Sequence, residues 1–275
     1  MTVGVFFGSV VMAAIVAFAL ITGFAYMTLI ERKVVARIQV RPGPNRVGPG
    51  GFLQPLADGI KLLFKEDIIP AMADRPVFAL APIISLTVAL AAFAVIPFGS
   101  AISIFGVNIP LRIADVNVGI LYIFAVTELG VYGIVLAGWA SNNKYSMLGG
   151  VRSSAQVISY SLAMGLAIVG VLILTGSLGM NDIVRHQQGV WLGFIPRWNI
   201  FVQPLGFIIY LTSAIAEVNR APFDLPEAEQ ELIAGYHTEY SSMRFGMFFI
   251  AEYINMITVS SIAVTLFLGC LLYTS

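Results

Sequence analysis

Two glutamates stand where ionisable groups are expensive. Glu128 and Glu252 each lie inside a long apolar run. An acid at the centre of a bilayer costs about 2.5–3.5 kcal/mol on insertion scales. Such a group must be paired, hydrated or protonated, because desolvation penalises the charged form. That suits a residue that takes and gives protons. The plainer role is a neutral Glu hydrogen-bonded between helices. Glu252 and Asn255 share a helix face, being three residues apart. The densest set of acids is Glu217-Val-Asn-Arg-Ala-Pro-Phe-Asp-Leu-Pro-Glu-Ala-Glu-Gln-Glu231, followed by Gly235-Tyr-His-Thr-Glu-Tyr240. It holds Glu217, Asp224, Glu227, Glu229, Glu231 and Glu239 against Arg220 and, just beyond, Arg244. Glu227 and Glu231 would face each other on a helix, a repulsive spacing. Crowded carboxylates titrate as a coupled set. A solvated acidic loop is the bland reading of such a run. Against it, Phe223, Leu225, Leu232, Ile233 and Tyr236 interleave the acids, and Pro222 and Pro226 stiffen the segment. We expect a partly buried loop that handles protons.

The elements that must position these residues are membrane helices. The 275 residues are 58% hydrophobic and 11% charged, against roughly a quarter charged in soluble domains. The run 3–30 has no ionisable residue over about 28 positions, where roughly 20 suffice to span. It is not a cleaved signal peptide, having no basic n-region and too long an apolar core. Further apolar runs cover about 77–98, 116–140, 155–175, 200–216 and 245–272. Lipid demands internal satisfaction of the backbone, so these runs are helices. The fold expected is all-α: a polytopic transmembrane helix bundle of about six spans. Gly130, Gly133, Gly138, Gly165 and Gly170 would let helices approach closely.

With six spans, the segments 31–76, 141–154 and 217–244 fall on one side. They hold 12 of the 15 basic residues; only Arg112, Arg185 and Arg197 fall on the other. The positive-inside rule makes the basic side cytoplasmic and puts the N-terminus outside. Within the first of these segments, a Pro/Gly turn region at 41–51 precedes Leu53, Leu56, Ile60, Leu63 and Phe64 at helical spacing. Asp58, Lys61 and Lys65 share another face. A short amphipathic helix over about 52–66, lying in the membrane interface, is expected.

Several chemistries have no residues to support them. Net charge is zero, so no basic field suggests nucleic acid. The single cysteine, Cys270, has no partner for a disulfide or cluster, and His186 and His237 lack metal-ligand spacing. No phosphate-binding glycine motif is present. The chain is expected to hold no metal and no redox cofactor of its own.

The motifs resemble one family over the chain from the first helix to about residue 265. They are Glu31-Arg-Lys33, Gln39-Val-Arg-Pro-Gly-Pro-Asn-Arg-Val-Gly48, Gln54-Pro-Leu-Ala-Asp-Gly-Ile-Lys61, Glu128-Leu-Gly-Val-Tyr-Gly133 and the acidic segment above. These are similar to the H subunits of NADH-quinone oxidoreductases, the respiratory complex I membrane subunits at the junction with the peripheral arm. The resemblance implies a subunit that walls a narrow chamber where quinone is reduced. FMN and iron–sulfur clusters would sit in partner subunits. Quinone, the substrate, would enter from the lipid between the first helix, the interface helix and the sixth span. By the same resemblance Arg32, Arg37 and Asp58 border that passage, and Arg220, Phe223 and Asp224 face the chamber. Glu128, Glu217, Glu227, Glu229, Glu231, Glu239 and Glu252 would carry charge or protons towards other membrane subunits. The bilayer would be a bacterial inner membrane or, alternatively, a mitochondrial inner membrane.

Two departures accompany the resemblance. The family usually has Glu where this chain reads Ile158-Ser-Tyr-Ser161, so either Ser161 holds a water in its place or the path tolerates a gap. The family also normally has eight spans, so a truncated chain or, alternatively, a natural short form is expected. The nearest alternative is the homologous membrane subunit of a membrane-bound hydrogenase or another complex I-like enzyme. The motifs at 39–48 and 54–61 argue against it. A stand-alone transporter is disfavoured because no internal repeat is found.

Overall fold

The computed structural model describes residues 3–99, 101–104, 107–110, 113–191, 195–225 and 232–269. Over these residues the chain is a polytopic bundle of α-helices. Five helices are long and apolar enough to cross a membrane, and a shorter apolar helix accompanies them. The long ones are α1 (Val3–Ile38), α3 (Arg75–Ala92), α4 (Gly119–Ala140), α5 (Lys144–Thr175) and α9 (Ser242–Phe267). Between α1 and α3 runs the short α2 (Gln54–Phe64). After α5 come α6 (Met180–His186), α7 (Asn199–Val202) and α8 (Pro204–Glu217).

Two helices run further than hydropathy marks. Charged residues enter α1 from Glu31, yet the helix continues to Ile38. Likewise α5 begins at Lys144, not near 155, so most of the loop expected at 141–154 is helical. The Asn143 side chain accepts a hydrogen bond from the Tyr145 amide (2.9 Å) and caps its start. Gly176 at φ 67° closes its end. At 32 residues α5 is about 48 Å long, more than the roughly 30 Å hydrocarbon core.

The run expected to span at 200–216 is instead two helices. Pro204 pushes the residue before it out of helical geometry, and Gln203 adopts φ −130°, ψ 61° between α7 and α8. The 14 residues of α8 reach only about 21 Å. Two small hairpins also interrupt the all-helical expectation. Strand β1 (Ala101–Ile104) pairs antiparallel with β2 (Val107–Pro110), and β3 (Val190–Trp191) with β4 (Ile195–Pro196).

Helix α4 packs between α3 and α5, α5 carries α8, and α9 lies against α3 and α1. The main core gathers Ile120, Ile123, Met164, Ile168, Tyr210 and Ile254. Glycine makes close approaches possible: a Cβ on Gly133 would stand 2.2 Å from the Ser85 hydroxyl of α3, and one on Gly138 2.6 Å from Ser146 O of α5. Gly165, also expected at a close contact, has nothing within 4 Å of where its Cβ would be.

Candidate functional site

Arg220 is the centre of the charged site. Its Nε stands 2.7 Å from Oε1 of Glu252 on α9, and its Nη1 donates to Oε1 of Glu31 on α1 at 3.3 Å. The guanidinium lies over the Tyr253 ring, 4.5 Å from its centre. The Tyr253 hydroxyl donates in turn to the other oxygen of Glu31. Asp224 lies within electrostatic range of Glu252. Burial opposes the charge on Arg220, but Glu252, Tyr253 and Glu31 outweigh it and hold the guanidinium more firmly protonated than usual. The Glu252 side chain is 14% exposed. Removing one partner of so buried a pair strands the other at a cost of about 3–5 kcal/mol.

Helix α5 holds the loop that presents Arg220. Helix α8 ends at Glu217, and Asn219 turns the chain at φ 55°. Ser153, Gln156 and Tyr160 form a stripe on α5 facing this turn. The Asn219 amide donates to the Ser153 hydroxyl (3.1 Å). The Gln156 amide nitrogen is directed at three oxygens: Ala216 O (2.8 Å), Asn219 Oδ1 (3.1 Å) and Phe223 O (2.7 Å). Phe223 meets the Tyr160 ring edge-on at 5.3 Å. The loop is therefore set by backbone carbonyls gripped from one helix, and Arg220 inherits that position.

Behind Glu252 the bundle encloses a cavity of about 80 Å³. It is lined by α3, α4, α5, α8 and α9, and its polar lining includes Glu217, Glu252, Asn255, Thr127 and Thr258. Glu217 Oε2 is buried with no hydrogen-bond partner among the described residues. Glu128 stands within electrostatic range of Glu217 but does not line the cavity. Ser161 is buried on the same α5 stripe as Val157 and Met164, which do line it; its hydroxyl donates to Ile158 O at 3.1 Å.

A second charged group joins α1 to α2. Arg32 meets Asp58 at 2.7 Å, with Lys61 at 3.3 Å and the Gln54 amide at 3.1 Å from the same carboxylate. Burial raises the Asp58 carboxyl, and these donors more than offset it, leaving it below the usual carboxylate value. Arg32 is about half exposed, so the pair contributes roughly 0.2–1 kcal/mol. The apolar face of α2 is open, with Leu56, Ile60, Leu63 and Phe64 exposed. Arg37 is exposed near the end of α1 and belongs to neither charged group.

The remaining carboxylates are not gathered with these. Glu239 accepts a hydrogen bond from the Asn143 amide at 2.6 Å, at the start of α5. Glu227, Glu229 and Glu231 lie outside the described residues, as do Arg112 and Cys270. Among the described residues no three His, Cys, Asp or Glu side chains group closely enough to hold a metal ion. Sequence reasoning missed Glu31, Tyr253 and Gln156 as site residues. Glu31 carried one signal, an acid opening the motif at the end of the first span. Gln156 carried another, an amide among apolar neighbours in a long helix.

The fold and site together define a polytopic helical membrane protein with a charged cluster at one end of the bundle and carboxylates leading into a cavity. The family model described as NADH dehydrogenase matches residues 11–274. The chain is 60% identical over 248 residues to the H subunit of NADH-quinone oxidoreductase from Thermomicrobium roseum, covering 89% of this chain and 73% of that protein. It is 54% identical over 267 residues to H subunit 1 of the Solibacter usitatus enzyme, covering 96% of this chain and 66% of that one. It is 53% identical over 273 residues to H subunit 2 of the Koribacter versatilis enzyme, covering 95% and 76%. The chain belongs to the NADH dehydrogenase family that includes these H subunits of NADH-quinone oxidoreductase.

Proposed function

We propose that this chain is a membrane subunit of a proton-translocating NADH:quinone oxidoreductase in a bacterial inner membrane. It borders the quinone passage and chamber and couples quinone reduction to proton movement. One observation carries this reading: Glu252 has Arg220 on one side and the internal cavity on the other. FMN and iron–sulfur clusters in partner subunits supply the electrons. This chain's residues respond to the change in charge beside the loop. Arg220 is shared between Glu31 and Glu252, so a new negative charge near it weakens its hold on Glu252. A Glu252 relieved of its cation takes a proton more readily. Glu217 and Glu128 continue the route into the bundle, and Glu227, Glu229, Glu231 and Glu239 feed it from the loop. Arg32, Arg37 and Asp58 border the passage beside the open apolar face of α2, with Phe223 and Asp224 near its inner end. The orientation set by the basic loops, with the N-terminus outside, belongs to the same reading.

The test is Glu217→Gln and Glu252→Gln, each in the assembled complex. Quinone reduction and proton pumping should fall together by at least about tenfold. NADH oxidation by ferricyanide should be unchanged. Wild-type quinone reduction and pumping in both variants would refute the proposal.

A further inference from the structure

The polar side chains around the cavity are nearly all committed elsewhere. Ser85, Thr127 and Thr258 each donate their hydroxyl to a carbonyl of their own helix, at 3.3, 3.2 and 2.9 Å. Tyr210 donates to Val259 O at 2.8 Å. Asn219 is bound to Ser153 and Gln156. Asn255 differs: its Oδ1 is buried, lines the cavity and has no hydrogen-bond partner among the described residues. Glu217 Oε2, in the same lining, is in the same condition. A buried oxygen without a partner costs about 1–3 kcal/mol. Water meets that cost where a site is polar and holds more than about 10–15 Å³ of water-sized space. A cavity of about 80 Å³ is several times larger. Asn255 also stands one helical turn from Glu252, on the same face of α9.

We infer that Asn255 anchors one of the waters through which protons pass across this cavity between Glu252 and Glu217, which makes it a positioning residue of this route. The water donates one hydrogen bond to Asn255 Oδ1. It accepts a proton from the Glu252 side of the water chain and releases its own towards Glu217 Oε2, so one proton moves and each water is restored. Ser161, with its hydroxyl on Ile158 O, is not needed for this step.

The inference rests on the proton-coupling role proposed above. The test is quinone-linked proton pumping by the assembled complex in liposomes. Asn255→Leu keeps the branched outline and removes the acceptor. It should cut pumping by about tenfold or more, and raise the solvent deuterium isotope effect. Asn255→Thr, which keeps an oxygen for water, should restore more than half of the rate lost. Ser161→Ala should stay within about twofold of wild type. Wild-type pumping in Asn255→Leu, beside impaired Glu217→Gln and Glu252→Gln, would overturn this inference alone. So would a failure of Asn255→Thr to recover activity in normally assembled complex. Wild-type pumping in all of these variants would remove the coupling role as well.

Discussion

Arg220 serves two carboxylates and an aromatic ring at once, a combination that a planar guanidinium suits. A guanidinium offers separate donors on a rigid plane and stacks on an aromatic ring, whereas an ammonium is a point charge. Here Nε faces Glu252, Nη1 faces Glu31 and the plane covers Tyr253. Arg220→Lys should therefore keep the charge and still lose the planar contact that joins Glu252, Glu31 and Tyr253. Quinone reduction should drop by about tenfold with normal assembly, measured as NADH:quinone turnover; a wild-type rate would mean that charge alone suffices. His237 makes a different prediction. Burial among Tyr236, Phe245 and Phe249 pushes its imidazole down to about 4 from an ordinary 6.5. The unfolded chain thus takes up a proton before the folded one as pH falls. His237 contributes stability above about pH 6.5 and loses it progressively towards pH 4. Hydrogen-exchange protection over 235–249 should fall across that window, and His237→Phe should flatten the fall. The sequence alone made Glu252, Asn255 and Glu217 legible, because a polar residue in an apolar run is conspicuous. Glu31 and Gln156 were not read as site residues, since their importance lies in contacts 189 and 60 residues away.

At the scale of elements, α2 is held by polar contacts at its end and by the Asp58–Arg32 pair, not by a buried face. No residue of α2 is buried. The Ser242 hydroxyl at the start of α9 is directed at Leu62 O and Lys65 O, both at 2.9 Å. The Ser241 hydroxyl accepts from the Ile68 amide at 2.9 Å, and Arg244 pairs with Asp67 at 3.3 Å. Ser242→Ala removes a cap on carbonyls that the helix itself leaves unbonded. It should cost about 1 kcal/mol, seen as roughly fivefold faster amide exchange over 54–65. Unchanged exchange would show that Asp67 and Ser241 suffice. Hydropathy located the helices but misjudged their ends, because a helix continues wherever its backbone bonds do, in water or lipid. This explains α1 and α5. The break at Gln203 was readable from Pro204, but an apolar run on both sides of it concealed the two pieces.

Over the whole molecule, the charges separate into two functions. Most basic residues sit at the helix ends and connections that the proposed orientation puts on one side. The acids continue inward: Glu31 and Glu252 around Arg220, then Glu217 at the cavity, then Glu128 within its electrostatic range. An apolar bundle has no structural need for such a series, and each member costs stability unless it is paired or hydrated. The amphipathic α2 leaves an apolar face open beside Arg32 and Asp58, the place the proposed function gives to the mouth of the quinone passage. On the proposed coupling, the inner carboxylates change protonation when quinone is reduced. Infrared difference spectra of the membrane-embedded complex, taken as NADH reduces bound quinone, test it directly. The wild type should show a carboxyl band that shifts in deuterium oxide, and Glu252→Gln and Glu217→Gln should each remove part of it. A carboxyl difference spectrum identical in wild type and both variants would contradict the claim.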